Sequence, residues 1–427
     1  MLFGTKNIME PKIAVIGLGY VGLPLAVALS RSYSVVGFDI SEHRVRELKE
    51  GHDRTHEIES DVLKKSSLQV STDPNILMDC GVFIVTVPTP VDADNQPDLE
   101  PLRSASTILG GFIHKGSIVV FESTVYPGVT EDFCGPILEK VSGLKAGHDF
   151  FLGYSPERIN PGDKVHTVDK ITKVVAAQTP EVAQKLAQIY GKMNNNNIFI
   201  AKTIKAAEAA KVIENTQRDI NIAFMNEIAM IFAKMNISIH DVLDAASTKW
   251  NFLKFSPGLV GGHCIGVDPY YLATASKSLG HNPQIILAGR EINESMANEL
   301  ADLITQRVGK PLRLLVLGLT FKENVPDLRN TKVVDLIEAL KKRGHVVDVH
   351  DSCADPEEAK RFFNYHLVPA LTIKETYDGV IGAVMHDAYC QFSNADFQRF
   401  LKPKGWVFDL KAVWRKQPPA GFNYWTL

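Results

Sequence analysis

Cysteine is scarce: Cys80, Cys134, Cys264, Cys353 and Cys390 are the only five in 427 residues. The number is odd, the gaps are long, and no CxxC or Cx2–4C…H spacing occurs, which argues against a disulfide framework or a structural zinc site. Thiols spread this way suit a reducing compartment, where they stay free. An excess of charge is also missing. Lys+Arg number 46 and Asp+Glu 49, a formal net charge of −3. So balanced a chain has no broad basic surface for nucleic acid or an anionic membrane. No run of 18 apolar residues exists, so no membrane span is expected. Met1 to Lys12 lacks the apolar stretch of a secretory signal. These absences predict a cytoplasmic protein with no nucleic-acid partner, no membrane partner and no metal, whose residues before Pro11 are an extension of the fold.

What is present is ordinary for a globular chain: 45% hydrophobic and 22% charged residues. At about 150 residues per domain the length predicts two or three domains, because single cores stop growing near ~250–300 residues. Three sections emerge. From Lys12 to about Lys202, short β-branched runs alternate with helical patterns: Lys12–Ile16, Val35–Asp39, Val82–Val87, Ile118–Glu122 and Phe150–Tyr154. Such alternation predicts a parallel sheet flanked by helices. From about Thr203 to Gly309 the pattern is nearly all helical. Lys205 to Met235 holds no Gly or Pro, allowing one helix of roughly 45 Å that joins two domains or forms a dimer seam. A second helix is expected across Gln284–Val308. From Pro311 the chain turns α/β again, with strands at Leu312–Leu317, Val346–His350, Val380–Met385 and Trp406–Leu410 and a helix at Val333–Arg343. This last section does not repeat the glycine pattern of the first.

In KIAVIGLGYVG, Gly17, Gly19 and Gly22 follow an apolar strand and open a helical pattern over Leu23–Arg31. This is the G-x-G-x-x-G fingerprint in its required context. One glycine makes the tight turn, one lets backbone approach a pyrophosphate, and one lets helix and strand pack closely. The helix N-terminus then faces the phosphates. Asp39 ends the next strand, where a carboxylate accepts from ribose hydroxyls and repels a 2′-phosphate, favouring NAD over NADP. Val87-Pro88-Thr89-Pro90 and Ser123-Thr124 follow two further strands, and ligands of open α/β sheets lie beyond such carboxyl ends.

Cys264 sits in GGHCIGVDP, where flanking glycines leave the thiol accessible and Asp268 faces the same space if a helical turn follows. The other four cysteines lack such surroundings and read as packing. On the long helix Lys211, Asn215 and Arg218 share one face. That stripe suits an anionic substrate or a developing oxyanion, and equally a solvated face. Glu157, in the Pro-rich loop SPERINPG, has the chemistry of a base or of a plain surface carboxylate.

Together GLGYVGLPLA, VPTP, ESTVYPG, SPERINPGD, KVIENTQRDINIAFMNE, GGHCIGVDPYYL and GLTFKENVPDLRNT closely resemble the UDP-sugar 6-dehydrogenases of the UDP-glucose/GDP-mannose dehydrogenase superfamily, over about Lys12 to Leu410. The SPERINPGD and GGHCIGVDPYYL versions resemble the branch acting on UDP-N-acetylhexosamines. UDP-glucose enzymes typically carry a second Glu where this chain has Pro161, and a Pro-Lys pair where it has Gly266-Val267.

The resemblance implies an α/β fold with two Rossmann-like domains joined by a helical middle domain. Residues 1–202 would bind NAD, 203–309 would carry the long helix and a homodimer contact, and 310–427 would bind UDP. It implies oxidation of a sugar C6 alcohol to a carboxylate, with two NAD reduced, as in surface-polysaccharide synthesis. Cys264, Lys211, Asn215, Asp268, Glu157 and Thr124 would be catalytic. Gly17, Gly19, Tyr20, Val21, Gly22, Asp39, Arg44, Thr89, Pro90, Ser123, Thr124 and Arg329 would contact NAD. Substrate would meet Glu157, Arg158, Lys211, Asn215, Arg218, Lys254, Phe255, Gly261 and Lys322. A UDP-GlcNAc or UDP-GalNAc substrate is expected, with UDP-ManNAc and UDP-glucose as alternatives. A two-electron 3-hydroxyacid or 6-phosphogluconate-type dehydrogenase would need neither the cysteine nor the last α/β section. A nucleotide-binding scaffold would not need an intact Cys264/Lys211/Asp268 set.

Overall fold

A computed structural model describes residues 10–92, 94–158, 167–262, 264–369 and 376–427. The chain divides into two compact units, one formed by Met1–Glu214 with Tyr270–Gly280, the other by Asn215–Pro269 with His281–Leu427.

In the first unit the apolar runs become strands β1 (Ile13–Ile16), β2 (Val35–Phe38), β3 (Gln69–Ser71), β4 (Val82–Val85), β5 (Ile118–Phe121), β6 (Phe151–Tyr154), β7 (Lys173–Ala177) and β8 (Ile198–Ile200). They form one sheet in the order β3-β2-β1-β4-β5-β6-β7-β8. All pairs are parallel except β6 with β7. Every residue of β1, β2, β4 and β5 is buried, as a sheet covered on both faces requires. Alternate side chains feed two cores: Ala14, Ile16, Phe83 and Val85 on one face, Ile13, Val15, Val82 and Ile84 on the other. The order reverses between β1 and β4, which is where this architecture binds its ligand.

The expected long helix runs Ile204–Lys234, 31 residues. Its N-terminal part is pinned in the first unit by Glu208, a buried carboxylate that accepts from the Gly128 and Thr130 amides at 2.6 and 2.9 Å. In the second unit Asp219 of the same helix accepts from Arg290 at 2.6 Å and from Asn293 at 2.8 Å. Both partners lie on the helix Gln284–Val308, which ends at Gly309 in the left-handed region. Asn226 adds reciprocal bonds to Gly258, donating at 3.0 Å and accepting at 2.8 Å. These buried side chains are thus hydrogen-bonded, and Asn226 anchors the segment that leads to Cys264.

The second unit carries β9 (Arg313–Leu317), β10 (Val346–His350), β11 (Tyr377–Gly382), β12 (Leu401–Asp409) and β13 (Asn423–Thr426). The order is β10-β9-β11-β12-β13, all parallel, the other common doubly wound arrangement. β11 ends at Gly382, short of the expected Met385, because the Ala383 and Val384 amides turn onto the Leu317 carbonyl. Although no G-x-G-x-x-G recurs, the first turn does. Gly17 and Gly318 both have φ +90. Each donates its amide to the last residue of the neighbouring strand, Phe38 at 2.8 Å and His350 at 2.9 Å. The next amide, Leu18 or Leu319, goes to a carboxylate after that strand, Asp39 or Asp351.

The cysteines divide differently from the expectation of four packed thiols. Cys80 and Cys134 are buried and Cys353 is half-buried, but Cys390 is exposed, as is Cys264. Cys390 closes a short helix, Asp387–Cys390, that seats Tyr389 in the core and turns its own side chain outward. Among the described residues no helix is long and apolar enough to cross a membrane.

Candidate functional site

Most site residues of the first unit gather at the carboxyl ends of β1, β2, β4, β5 and β6. A Cβ at Gly17 would lie 3.1 Å from the Thr86 carbonyl oxygen, and one at Gly22 only 1.8 Å from the Gly17 oxygen. At Gly19, which is exposed, it would meet nothing within 4 Å. Two glycines are thus demanded by packing, and the middle one leaves backbone open to a ligand. No side chain caps the helix Gly22–Ser30, whose Leu23 amide donates back to the Gly19 carbonyl at 3.2 Å, so this end keeps its positive dipole toward an anion. Tyr20 and Val21, just ahead of it, are half-buried. Asp39 takes the Leu18 and Ser41 amides at 2.8 and 2.9 Å. Arg44 is buried, donating to the Leu18 carbonyl at 2.8 Å and pairing with Asp53 at 2.8 Å. It therefore braces the glycine turn from behind. Ser123 donates to the Val87 carbonyl at 2.5 Å, and Tyr271 donates to the Thr89 and Pro90 carbonyls at 2.9 and 3.2 Å. Thr124 is half-buried beside them. An open glycine, an uncapped helix and an anchored acid fit a dinucleotide.

Glu157 follows β6 and is only 8% exposed, which removes the surface-carboxylate reading. Lys173 Nζ lies 3.8 Å from Glu157 Oε2 and 2.5 Å from Glu122 Oε2. Tyr190 donates to the other Glu122 oxygen at 2.5 Å. Burial pushes the Glu122 carboxyl up, and Lys173 opposes that shift. Burial and the adjoining Glu122 push the Tyr190 hydroxyl well up, so it stays a proton donor. Lys173 and Tyr190 fall in none of the quoted motifs, and Glu122 opens ESTVYPG without being singled out in it. The available signal was a charge closing one β-branched run, IVVFE, and opening another, KVVAA. Arg158 pairs with Glu214 at 2.6 Å and donates to the Thr172 carbonyl at 3.3 Å. Residues 159–166, and with them Pro161, lie outside the described residues, as does His263.

Along the long helix, exposure grades from Lys211, 7% exposed, through half-buried Asn215 to exposed Arg218. A uniformly solvated face is therefore excluded. In the second unit Asn215 Nδ2 donates to Asp268 Oδ2 at 2.5 Å. The Val267 and Asp268 amides both return to the Cys264 carbonyl, at 3.1 and 2.8 Å, which is the expected turn between thiol and acid. Asp268 is 2% exposed, whereas Cys264 is exposed.

The preceding glycines are required by close packing. A Cβ at Gly261 would lie 2.7 Å from the Asn330 oxygen, and one at Gly262, φ +85, would lie 2.7 Å from the Phe321 ring. The cysteine segment is thereby locked to the loop after β9. That loop carries half-buried Lys322 and exposed Arg329, whose guanidinium is held by Asp327 at 2.9 and 2.8 Å. Lys254 is exposed and Phe255 half-buried upstream of Gly261. Asp351, Cys353 and His386 also converge. However, His386 Nδ1 accepts from the Asn324 amide at 2.8 Å, leaving Nε2 to donate to Asp351 at 3.1 Å. The trio is a hydrogen-bonded clamp on the Gly318 turn.

Three models of one family match in register: the NAD binding domain of the UDP-glucose/GDP-mannose dehydrogenase family over residues 11–194, its central domain over 205–306 and its UDP binding domain over 315–416. The chain is 51% identical over 411 residues to Protein CapL of Staphylococcus aureus, covering 95% of this chain and 96% of that one. It is 50% identical over 408 residues to the UDP-N-acetyl-D-glucosamine 6-dehydrogenase of Pseudomonas aeruginosa, covering 94% and 96%. The solved UDP-D-ManNAc dehydrogenase of Pyrococcus horikoshii superposes with a TM-score of 0.87 at 28% identity, covering 97% and 98%. The glycine turn, the anchored Asp39 and these full-length matches converge: the chain belongs to the UDP-glucose/GDP-mannose dehydrogenase family, as an oxidoreductase with NAD as its cofactor.

Proposed function

We propose that this protein oxidises the C6 hydroxyl of a UDP-N-acetylhexosamine, UDP-GlcNAc or its C4 epimer UDP-GalNAc, to the uronic acid through a covalent intermediate on Cys264, for surface-polysaccharide synthesis. The observation that carries the chemistry is the Asn215–Asp268 bond, one helical turn from buried Lys211 and one loop turn from exposed Cys264. The sugar class is supported by 50% identity to a UDP-GlcNAc enzyme against 32% to a UDP-ManNAc enzyme.

NAD, when bound, supplies the hydride acceptor for each two-electron oxidation. Lys211 takes the C6 hydroxyl proton as the aldehyde forms. The Cys264 thiolate adds to the aldehyde carbon, making a C–S bond and an alkoxide that Lys211 and Asn215 hold. Asp268 orients Asn215. Loss of the second hydride leaves a thioester. Water placed by Glu157 and Thr124 then attacks its carbonyl, the C–S bond breaks, and the carboxylate departs as the thiol is restored. One alcohol, two NAD and one water thus give one carboxylate, two NADH and three protons.

Arg158, Arg218, Lys254, Phe255, Gly261 and Lys322 hold the substrate, and Arg329 reaches NAD. The protein works in the cytoplasm as a homodimer. Exposed Ile213, Phe224 and Ile231 on the long helix, 53%, 54% and 49% exposed, support that assembly.

Steady-state assays on UDP-GlcNAc, UDP-GalNAc, UDP-ManNAc and UDP-glucose test the substrate. The highest kcat/KM is expected for one of the first two. A higher value for UDP-ManNAc or UDP-glucose would replace this assignment.

A further inference from the structure

The first unit buries a charge cluster that this scheme leaves unused. Glu122, Lys173 and Tyr190 are 1%, 2% and 0% exposed. They come from three elements: the end of β5, the start of β7 and the helix Pro180–Gly191. Besides its ion pair with Glu122, the Lys173 ammonium lies 5.3 Å from the centre of the Tyr190 ring. It also serves a second carboxylate, Glu157, on the loop after β6. That loop is tied to β7 as well, through Ser155 Oγ donating to the Val174 carbonyl at 2.7 Å. A buried ion pair adds little net stability over an apolar pair of the same volume. Its presence beside a reacting residue therefore asks for a role other than holding the sheet.

We infer that Lys173 is a positioning residue: its ammonium fixes the Glu157 carboxylate toward the hydrolytic water, and Glu122 and Tyr190 fix the ammonium. The inference rests on the reading of Glu157 as the group that places that water. Without the ammonium, Glu122 and Glu157 face each other as like charges, which drives one of them to take up a proton. The step affected is thioester hydrolysis. The two hydride transfers do not call on Glu157.

The test compares Lys173→Met, Lys173→Arg and the double variant Glu122→Gln/Lys173→Met with Glu157→Gln, in the full chain with NAD and UDP-GlcNAc. The double variant removes the carboxylate that Lys173→Met would leave buried and unpaired, so misfolding of the single variant does not decide the outcome. Rapid mixing reads NADH formation, and intact-mass measurement reads the acyl adduct on Cys264. For Lys173→Met and the double variant the expected result is an unchanged NADH burst and an accumulating adduct. Hydrolysis slows about tenfold or more, and in Lys173→Met the acid limb of kcat moves to higher pH. Lys173→Arg restores most of the hydrolysis rate. If Glu157→Gln accumulates the adduct while both Lys173→Met variants hydrolyse at the wild-type rate with an unmoved acid limb, the role of Lys173 is overturned. If Glu157→Gln itself hydrolyses normally, the reading of Glu157 falls, and the inference with it.

Discussion

Asn215 Nδ2 donates to Asp268 Oδ2 at 2.5 Å, joining the long helix to the first residue of the helix that follows the Cys264 turn. The bond leaves the Asn215 amide with one orientation. A donor fixed before the reaction stabilises a developing oxyanion without reorganising. Asp268→Ala is therefore expected to lower kcat by about 10²–10³. NAD affinity, measured by fluorescence titration, should change little, because Asp268 is not among the residues assigned to the dinucleotide. A large loss of NAD affinity with near-normal kcat would oppose this role.

Gly22 leaves no room for a side chain: a Cβ there would sit 1.8 Å from the Gly17 oxygen and 2.4 Å from Thr86 Oγ1. Gly22→Ala must push the helix Gly22–Ser30 off the sheet. An overpacking cost of about 1–3 kcal/mol and loss of NAD binding are expected, read by thermal melting and calorimetric titration. Gly19→Ala, where a Cβ meets nothing within 4 Å, should leave the melting temperature near wild type while still weakening NAD.

Asp39 accepts two amides of the glycine turn and its neighbour, so it both builds the turn and repels a 2′-phosphate. Asp39→Asn removes the charge and keeps one of the two amide bonds, because Asn offers a single acceptor oxygen where Asp39 uses both. Its kcat/KM ratio of NAD to NADP is expected to fall by about tenfold, the scale of one charged hydrogen bond. An unchanged ratio would remove Asp39 from cofactor selection.

How much of this was legible in the sequence depended on whether the signal was local. The alternation of β-branched runs and helices marked both sheets, and the Gly/Pro-free stretch marked the helix Ile204–Lys234. GLGYVG could be read as a turn because three glycines fall at the G-x-G-x-x-G spacing with a strand before them. The Gly318 turn could not, since one glycine and an acid more than thirty positions later make the same geometry. Lys173 and Glu122 were hidden for the same reason. Nothing in either segment says that the two strand ends lie across β6 from one another. The packing of Gly261 and Gly262 against Asn330 and Phe321 explains glycines that sequence alone could only link to an accessible thiol.

Asp351 gathers the Leu319, Thr320, Cys353 and Ala354 amides at 2.5, 3.0, 2.7 and 2.8 Å, and His386 at 3.1 Å. Burial pushes its carboxyl up, but the His386 hydrogen bond and the backbone amides outweigh burial and hold it well below the usual carboxylate range. A carboxyl depressed by folding contributes stability that is complete above its unfolded value and is lost as pH falls below it. The second unit is expected to keep this contribution from neutrality to about pH 4 and to lose it progressively below. Asp351→Asn should cost about 1–3 kcal/mol near neutrality and flatten that acid loss. Urea unfolding at pH 6, 5, 4 and 3 measures both.

The central claim is a double oxidation through Cys264, and counting NADH against substrate tests it most directly. With limiting UDP-GlcNAc, two NADH per sugar and a C6 carboxylate are expected. Cys264→Ser, which retains the turn onto Asp268, should form no thioester while still binding NAD. One NADH per sugar with a released aldehyde, or full turnover by Cys264→Ser, would contradict the account.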